Sequence, residues 1–160
     1  MSAQQKTNVM RLLDAAGIAY EAKSYPVDLS DLSAVHAAQM LGIDVDRLFK
    51  TLVLQGEKVK YFVCCIPGAL EVDLKKAARA AGDKRAEMLP MKELPAVAGY
   101  VRGACSPIGM KKNYPLFIDE TCACYDRIAI SAGVRGTMLL VDPAALVAYT
   151  GAVTADLIRL

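Results

Sequence analysis

The chain predicts a mixed α/β (α+β) fold built as one domain over residues 1–160. Three observations predict it. The β-rich runs are short, they are interleaved with segments of helical periodicity, and no linker, repeat or low-complexity tract interrupts them. Joined mostly by antiparallel or long connections, such strands suit a curved mixed sheet better than a doubly wound parallel one. Neither a GxGxxG nor a P-loop is present to favour a Rossmann or nucleotide-triphosphatase reading.

The elements follow in order. Val9, Leu12, Leu13 and Ala16 share a helical face within residues 3–16, and Gly17 ends that helix. Residues 19–25 alternate loosely and carry two tyrosines, a strand that stops at Pro26. Ser30 or Asp31 caps a second helix running to Leu41, with Gly42 at its end. Residues 49–55 and 60–66 are two strands joined by Gly56-Glu57-Lys58 as a hairpin. Helices are expected over 74–81, stopped by Gly82, and over 90–98. After a glycine-rich loop come three short strands, at 116–119, 128–131 and 138–141. Asp142-Pro143 caps and opens a helix over 144–149, and residues 156–160 form a short terminal helix.

Composition narrows the function. The hydrophobic fraction of 54% is spread along the chain, and no run approaches the roughly 18 apolar residues of a membrane span. The N-terminus lacks the apolar core of a signal peptide, so a soluble, cytoplasmic protein without a membrane partner is expected. The net charge of +2 argues against dense, independent nucleic-acid binding, and no DNA partner is expected. Five cysteines, an odd number with Cys64-Cys65 inside an apolar run, read as free thiols rather than a disulfide framework. Cys122-x-Cys124 has the wrong spacing for a zinc knuckle and the single histidine, His36, is remote; no metal and no cofactor are expected.

The chemistry-bearing residues concentrate in three places. The stretch from Gly99-Tyr100 through Gly103, Cys105-Ser106-Pro107 and Gly109 to Lys111-Lys112 is a stiff, irregular loop. Its amides suit an anionic or carbonyl oxygen, although an ordinary surface loop has the same composition. Lys50 stands in a strand-like run on the face of Leu52 and Leu54, where an ammonium needs solvent or an acceptor. It reads either as a snorkelling surface lysine or as a pocket cation able to hold a phosphate or polarise a carbonyl. Ser131-Ala132-Gly133-Val134-Arg135-Gly136 is a second small-residue turn, between two strands. Tyr25, at a strand end, is placed to offer a phenol to the same pocket or simply to pack. With one histidine and no partnered acid in view, a hydrolytic triad is poorly supported.

Taken together, Phe49-Lys50-Thr51-Leu52, Asp73-Leu74-Lys75-Lys76-Ala77-Ala78, the loop 99–112 and the 131–136 turn resemble the YbaK/EbsC family. These are the bacterial Cys-tRNA(Pro) deacylases related to the inserted editing domain of prolyl-tRNA synthetase. The resemblance runs from Thr7 to Asp156 and is strongest toward the Gram-positive members, through Cys-Cys-Ile-Pro and Cys-Ser-Pro-Ile-Gly-Met-Lys-Lys.

The resemblance implies a barrel-like mixed sheet wrapped by helices, and trans-editing of cysteine mischarged onto tRNA(Pro), with prolyl-tRNA synthetase as partner. It implies Lys50 as the catalytic residue, with Tyr25, Tyr100, Gly103 and Ser131 lining the same substrate pocket. Lys111, Lys112 and Arg135 are the expected tRNA contacts. Enteric members often carry an acid in the stretch held here by Thr137-Met138, where this chain has no carboxylate. The implied chemistry needs no triad, because a cysteinyl ester carries its own nucleophile: the substrate thiol closes on its ester carbonyl to a thiolactone. Alternatives are hydrolysis of Ala-tRNA(Pro), a non-catalytic module binding tRNA ends or a synthetase, and a thiol redox protein built on Cys122 and Cys124.

Overall fold

In the computed structural model, which describes residues 5–160, Thr7 sets where the first helix begins. Its backbone is extended and its side chain accepts a hydrogen bond from the Met10 amide, so α1 covers Asn8–Ala15. The helix expected from residue 3 is therefore shorter; residues 3 and 4 lie outside the described residues. The strand β1 (Tyr20–Ser24) follows. The second helix, α2 (Ala34–Leu41), is capped by Ser33, which accepts from the His36 amide. Ser30 and Asp31 do not cap it, because the segment before it is folded into two tight turns. Asp28 accepts from Ser30, and Asp31 accepts from the Ser33 amide.

The hairpin of β2 (Phe49–Gly56) and β3 (Phe62–Pro67) forms as expected, with Lys50 opposite Ile66. Asp83 reaches in to accept from the Lys58 and Val59 amides and closes its turn. Asp73 caps α3 (Leu74–Ala81) through the Lys75 and Lys76 amides. A short strand absent from the sequence expectation, β4 (Ala86–Met88), pairs with the end of β2. Residues 90–98 form a 3₁₀ turn (Met91–Glu93) leading into α4 (Leu94–Ala98). Beyond the glycine-rich loop lie β5 (Leu116–Asp119), β6 (Ile128–Ser131), β7 (Thr137–Val141), α5 (Pro143–Thr150) and a second unforeseen strand, β8 (Val153–Ala155).

The strands form two sheets rather than a closed barrel. One is antiparallel in the order β1-β7-β6, and the other is mixed in the order β4-β2-β3-β5-β8. An isolated parallel bridge between Leu48 and Ala129 joins them, so the barrel expectation is corrected to two sheets meeting at a seam. Between the sheets lies the main core, which includes Leu13, Phe49, Val53, Ile118, Ile130 and Leu139. A second apolar cluster, with Leu54, Phe62, Cys64 and Ala77, packs α3 on the larger sheet. A third, with Ala37, Ala38 and Met138, packs α2 on the smaller one.

No terminal helix forms over 156–160. Buried Asp119 accepts from the Leu157 amide, while the Asp73 amide donates to the Leu157 carbonyl. Ile158 then bridges to Val72, holding this end extended. A local helical preference over five residues is too weak to compete with these long-range bonds. Among the described residues no helix is long and apolar enough to cross a membrane.

Candidate functional site

The seam between the sheets opens into a cleft of about 340 Å³, a size suited to a small organic ligand. Lys50, Tyr25, Gly103 and Ser131, drawn from four separate parts of the chain, all line it. Each arrives by a different local rule. Lys50 is carried at the start of β2 beside the bridge residue Leu48. Tyr25 extends the β1–β7 ladder, its amide donating to the Gly136 carbonyl at 2.9 Å. Gly103 sits in a turn closed by the Ala104 amide on the Val101 carbonyl, at φ +85°. A side chain is strained at that angle, so the turn requires glycine there.

Ser131 lines the cleft as expected, and its hydroxyl is also engaged within the fold. Its hydroxyl donates to the Ala104 carbonyl at 2.8 Å and accepts from the Gly133 amide at 3.1 Å. Both bonds are internal, so Ser131 pins the Gly103 turn to β6 instead of offering a free hydroxyl. Ser131→Ala leaves the buried Ala104 carbonyl without this donor and is expected to cost about 1–3 kcal/mol of stability. Faster amide exchange over residues 102–105 is the readout, and unchanged protection there would refute the role.

Tyr100, expected in the same pocket, is not among the residues that line the cleft. Its hydroxyl donates to the Ile108 carbonyl, and its ring stands beside the Gly133 turn, so it braces the loop from behind. Arg135 likewise turns inward, donating from Nε to the Arg102 carbonyl at 2.8 Å. Lys111 is exposed, with its stem against Gly99, while Lys112 lines a separate cavity on the far side of the loop.

The electrostatics are one-signed. Lys50 and Arg102 line the cleft, and among the described residues no carboxylate does. Burial holds the Lys50 ammonium below the ordinary lysine range, and the charge of Glu71 pulls weakly the other way. Glu71 itself is exposed and pairs with Arg159. Met138 occupies the wall near the 137–138 stretch, so this part of the recess is apolar. Cys105 also lines the cleft, but burial pushes its thiol up to about 12, far from a reactive thiolate. Burial raises the Tyr25 phenol too, so it stays neutral.

Leu32, Gly68 and Arg102 are lining residues that sequence reasoning missed. Gly68 carried the clearest signal, following Pro67 at a strand end. A Cβ there would sit 2.7 Å from the Ala34 Cβ, so glycine lets α2 approach the cleft. The arrangement can bind an anionic or carbonyl oxygen between a desolvated cation and a fixed backbone turn, with apolar walls for a small side chain.

The model of the aminoacyl-tRNA editing domain matches residues 32–149, a span that contains Lys50, the Gly103 turn and Ser131. The chain belongs to the aminoacyl-tRNA editing domain family. An editing-domain relative from Enterococcus faecalis, whose name gives a provisional assignment as the Cys-tRNA(Pro)/Cys-tRNA(Cys) deacylase EbsC, is 44% identical over 154 residues. That match covers 96% of this chain and 94% of the relative. A proline–tRNA ligase from Shouchella clausii is 33% identical over 101 residues, covering 62% of this chain and 17% of the ligase. Among solved structures, one described as a candidate trans-editing enzyme for prolyl tRNA synthetase superposes with a TM-score of 0.82. It is 28% identical, with 95% of each chain covered. Another, at 22% identity and a TM-score of 0.85, shares the fold. The editing domain's mixed two-sheet architecture is common to these structures.

Proposed function

We propose that this editing domain is a trans-acting aminoacyl-tRNA deacylase that removes cysteine from Cys-tRNA(Pro) and Cys-tRNA(Cys). The observation that carries the reading is a cleft with a desolvated cation and a glycine turn, in which no histidine or carboxylate among the described residues stands ready to activate a lining hydroxyl. Ser131 is committed to internal hydrogen bonds, the Cys105 thiol is held protonated by burial, and His36 is not among the lining residues. Such a site suits a substrate that brings its own nucleophile.

In this mechanism the cysteinyl thiol attacks its own ester carbonyl. A carbon–sulfur bond forms and the bond from the carbonyl carbon to the ribose oxygen breaks. The thiol proton passes to that oxygen, giving a four-membered thiolactone and free tRNA. Lys50 offsets negative charge at the 3′ end or on the developing oxyanion, and the Gly103 turn orders the ester beside it. Apolar walls around Met138 and Leu32 take the small side chain. The net charge of +2 leaves most tRNA affinity to a partner, and likeness to a segment of a proline–tRNA ligase supports prolyl-tRNA synthetase in that role.

The test compares Cys-tRNA(Pro), Cys-tRNA(Cys) and Ala-tRNA(Pro) as substrates. Cyclisation predicts that the thiol-free ester is cleaved at least about 100-fold more slowly, the order of effect lost with a positioned nucleophile. Equal rates on cysteinyl and alanyl esters would replace cyclisation by water attack. Binding without cleavage of any ester would leave only a tRNA-end module.

A further inference from the structure

The glycine-rich loop has a second face. Its first half, through Gly103 and Cys105, lines the cleft just described, while Pro107, Gly109 and Lys112 line another cavity of about 370 Å³. Cys105 and Pro107 are two residues apart, which limits their Cα separation to about 7 Å. One loop therefore contributes neighbouring residues to both cavities.

The chemistry of the second cavity differs from the first. Lys112, Asn113 and Tyr149 line it, and no carboxylate does among the described residues. All three are exposed, and within the described residues their side chains make no hydrogen bond or ion pair. The other polar groups are already committed. The Tyr114 hydroxyl donates to the Val97 carbonyl at 2.6 Å, and the Thr150 hydroxyl donates to the Leu146 carbonyl at 2.7 Å. What remains is an ammonium, a carboxamide and a half-open aromatic ring around a small recess. That set fits a nucleotide, with a π face for the base, an amide for its edge and a cation for its phosphate. A small anion would use only the lysine.

We propose that this second cavity binds one nucleotide of the single-stranded 3′ segment of the tRNA, internal to the aminoacylated terminal adenosine. Its base lies against Tyr149 and its phosphate against Lys112. The inference rests on the deacylase reading for the identity of the nucleic acid. It gives that reading a means of registering the substrate, since the loop that orders the ester is gripped on its other face by the same strand.

The test is equilibrium binding by fluorescence anisotropy at low salt, using a labelled acceptor-stem RNA hairpin with a single-stranded 3′ tail and a blunt counterpart. The wild type is expected to bind the tailed RNA more tightly than the blunt one. Tyr149→Ala is expected to weaken tailed binding about 5- to 100-fold, whereas Tyr149→Phe keeps the ring and stays near wild type. Lys112→Ala is expected to lower the slope of log affinity against log salt by about 0.7, one phosphate contact on a single strand. Neither change moves blunt binding. Equal losses on both RNAs, wild-type affinity in both variants, or no preference for the tail in the wild type would each overturn the proposal. Failure of the deacylase reading looks different: tail-dependent binding persists while every aminoacyl ester survives incubation.

Discussion

Lys50→Ala is expected to abolish deacylation of Cys-tRNA(Pro), lowering kcat by about 10²–10³, the usual effect of deleting one electrostatic partner of a developing oxyanion. The fold should not suffer. Burial disfavours the Lys50 ammonium, so its removal relieves a cost, and Lys50→Met, which keeps the apolar stem, is expected to melt at or above the wild-type temperature. Activity lost together with a lowered melting temperature would make Lys50 a structural residue instead.

The same group predicts opposed pH trends. Unfolded lysine titrates near 10.4, and burial places the folded value below that. Below the folded value the ammonium is charged in both states, and its desolvation opposes folding. Between the two values the unfolded chain binds more protons, so the Lys50 contribution to stability rises with pH across that window. Catalysis that needs the ammonium falls across the same window. Lys50→Met should remove the rise in stability, measured by denaturant titration at two alkaline pH values. A wild type whose activity and stability fall together there would sink the assignment.

Gly136→Ala is the second large effect. Gly136 has φ +87°, and a Cβ on it would lie 2.8 Å from the Val27 Cγ2 and 3.0 Å from the Tyr25 carbonyl oxygen. Left-handed strain and overpacking together predict a cost of about 2–4 kcal/mol, or roughly 5–15 °C in melting temperature for a chain of this size. Because Gly136 also accepts the hydrogen bond that extends β1 at Tyr25, the cleft wall should shift and activity fall. Gly151→Ala provides the control, since φ is +72° there but nothing lies within 4 Å of the added carbon. Only the strain remains, and the loss should be about half or less. Similar melting temperatures for the two variants would remove the packing argument.

The sequence makes most of the elements legible, and for local reasons. Asp73 and Asp142 cap the helices that follow them, Gly42 and Gly82 end α2 and α3 in left-handed geometry, and a short connection over 57–61, beginning one residue later than expected, joins two strongly β-branched or apolar runs. What stays hidden is set by distant partners. The edge strands Ala86–Met88 and Val153–Ala155 are three residues each and exist because β2 and β5 offer free edges. The extended C-terminus depends on Asp119, 38 residues from Leu157 in sequence.

The site divides in the same way. Lys50 and Gly103 are conspicuous because a cation in a strand and a glycine in a turn break local rules. Tyr100 and Arg135 look equally suited to a ligand on paper, yet the Tyr100 hydroxyl is turned to a backbone carbonyl and Arg135 commits its Nε to another. Hydrogen-bond commitment of that kind is a property of the folded loop, and neither residue type nor spacing announces it.

The seam between the sheets has one more consequence. Among the described residues, ladder bonding links them only at Leu48 and Ala129, so the width of the cleft is gauged by the apolar filling behind it, such as Val53 and Ile130 in the main core. Packed sheets stand about 10 Å apart according to the bulk of the residues between them. Polarity and calibre are thus set by separate parts: the polar lining groups ride on loops and a strand end, whereas the bore is fixed from inside the molecule. Exchanges among hydrophobic residues that do not line the cleft are expected to change its width, and with it the side chain that the proposed substrate can carry, while leaving Lys50 in place.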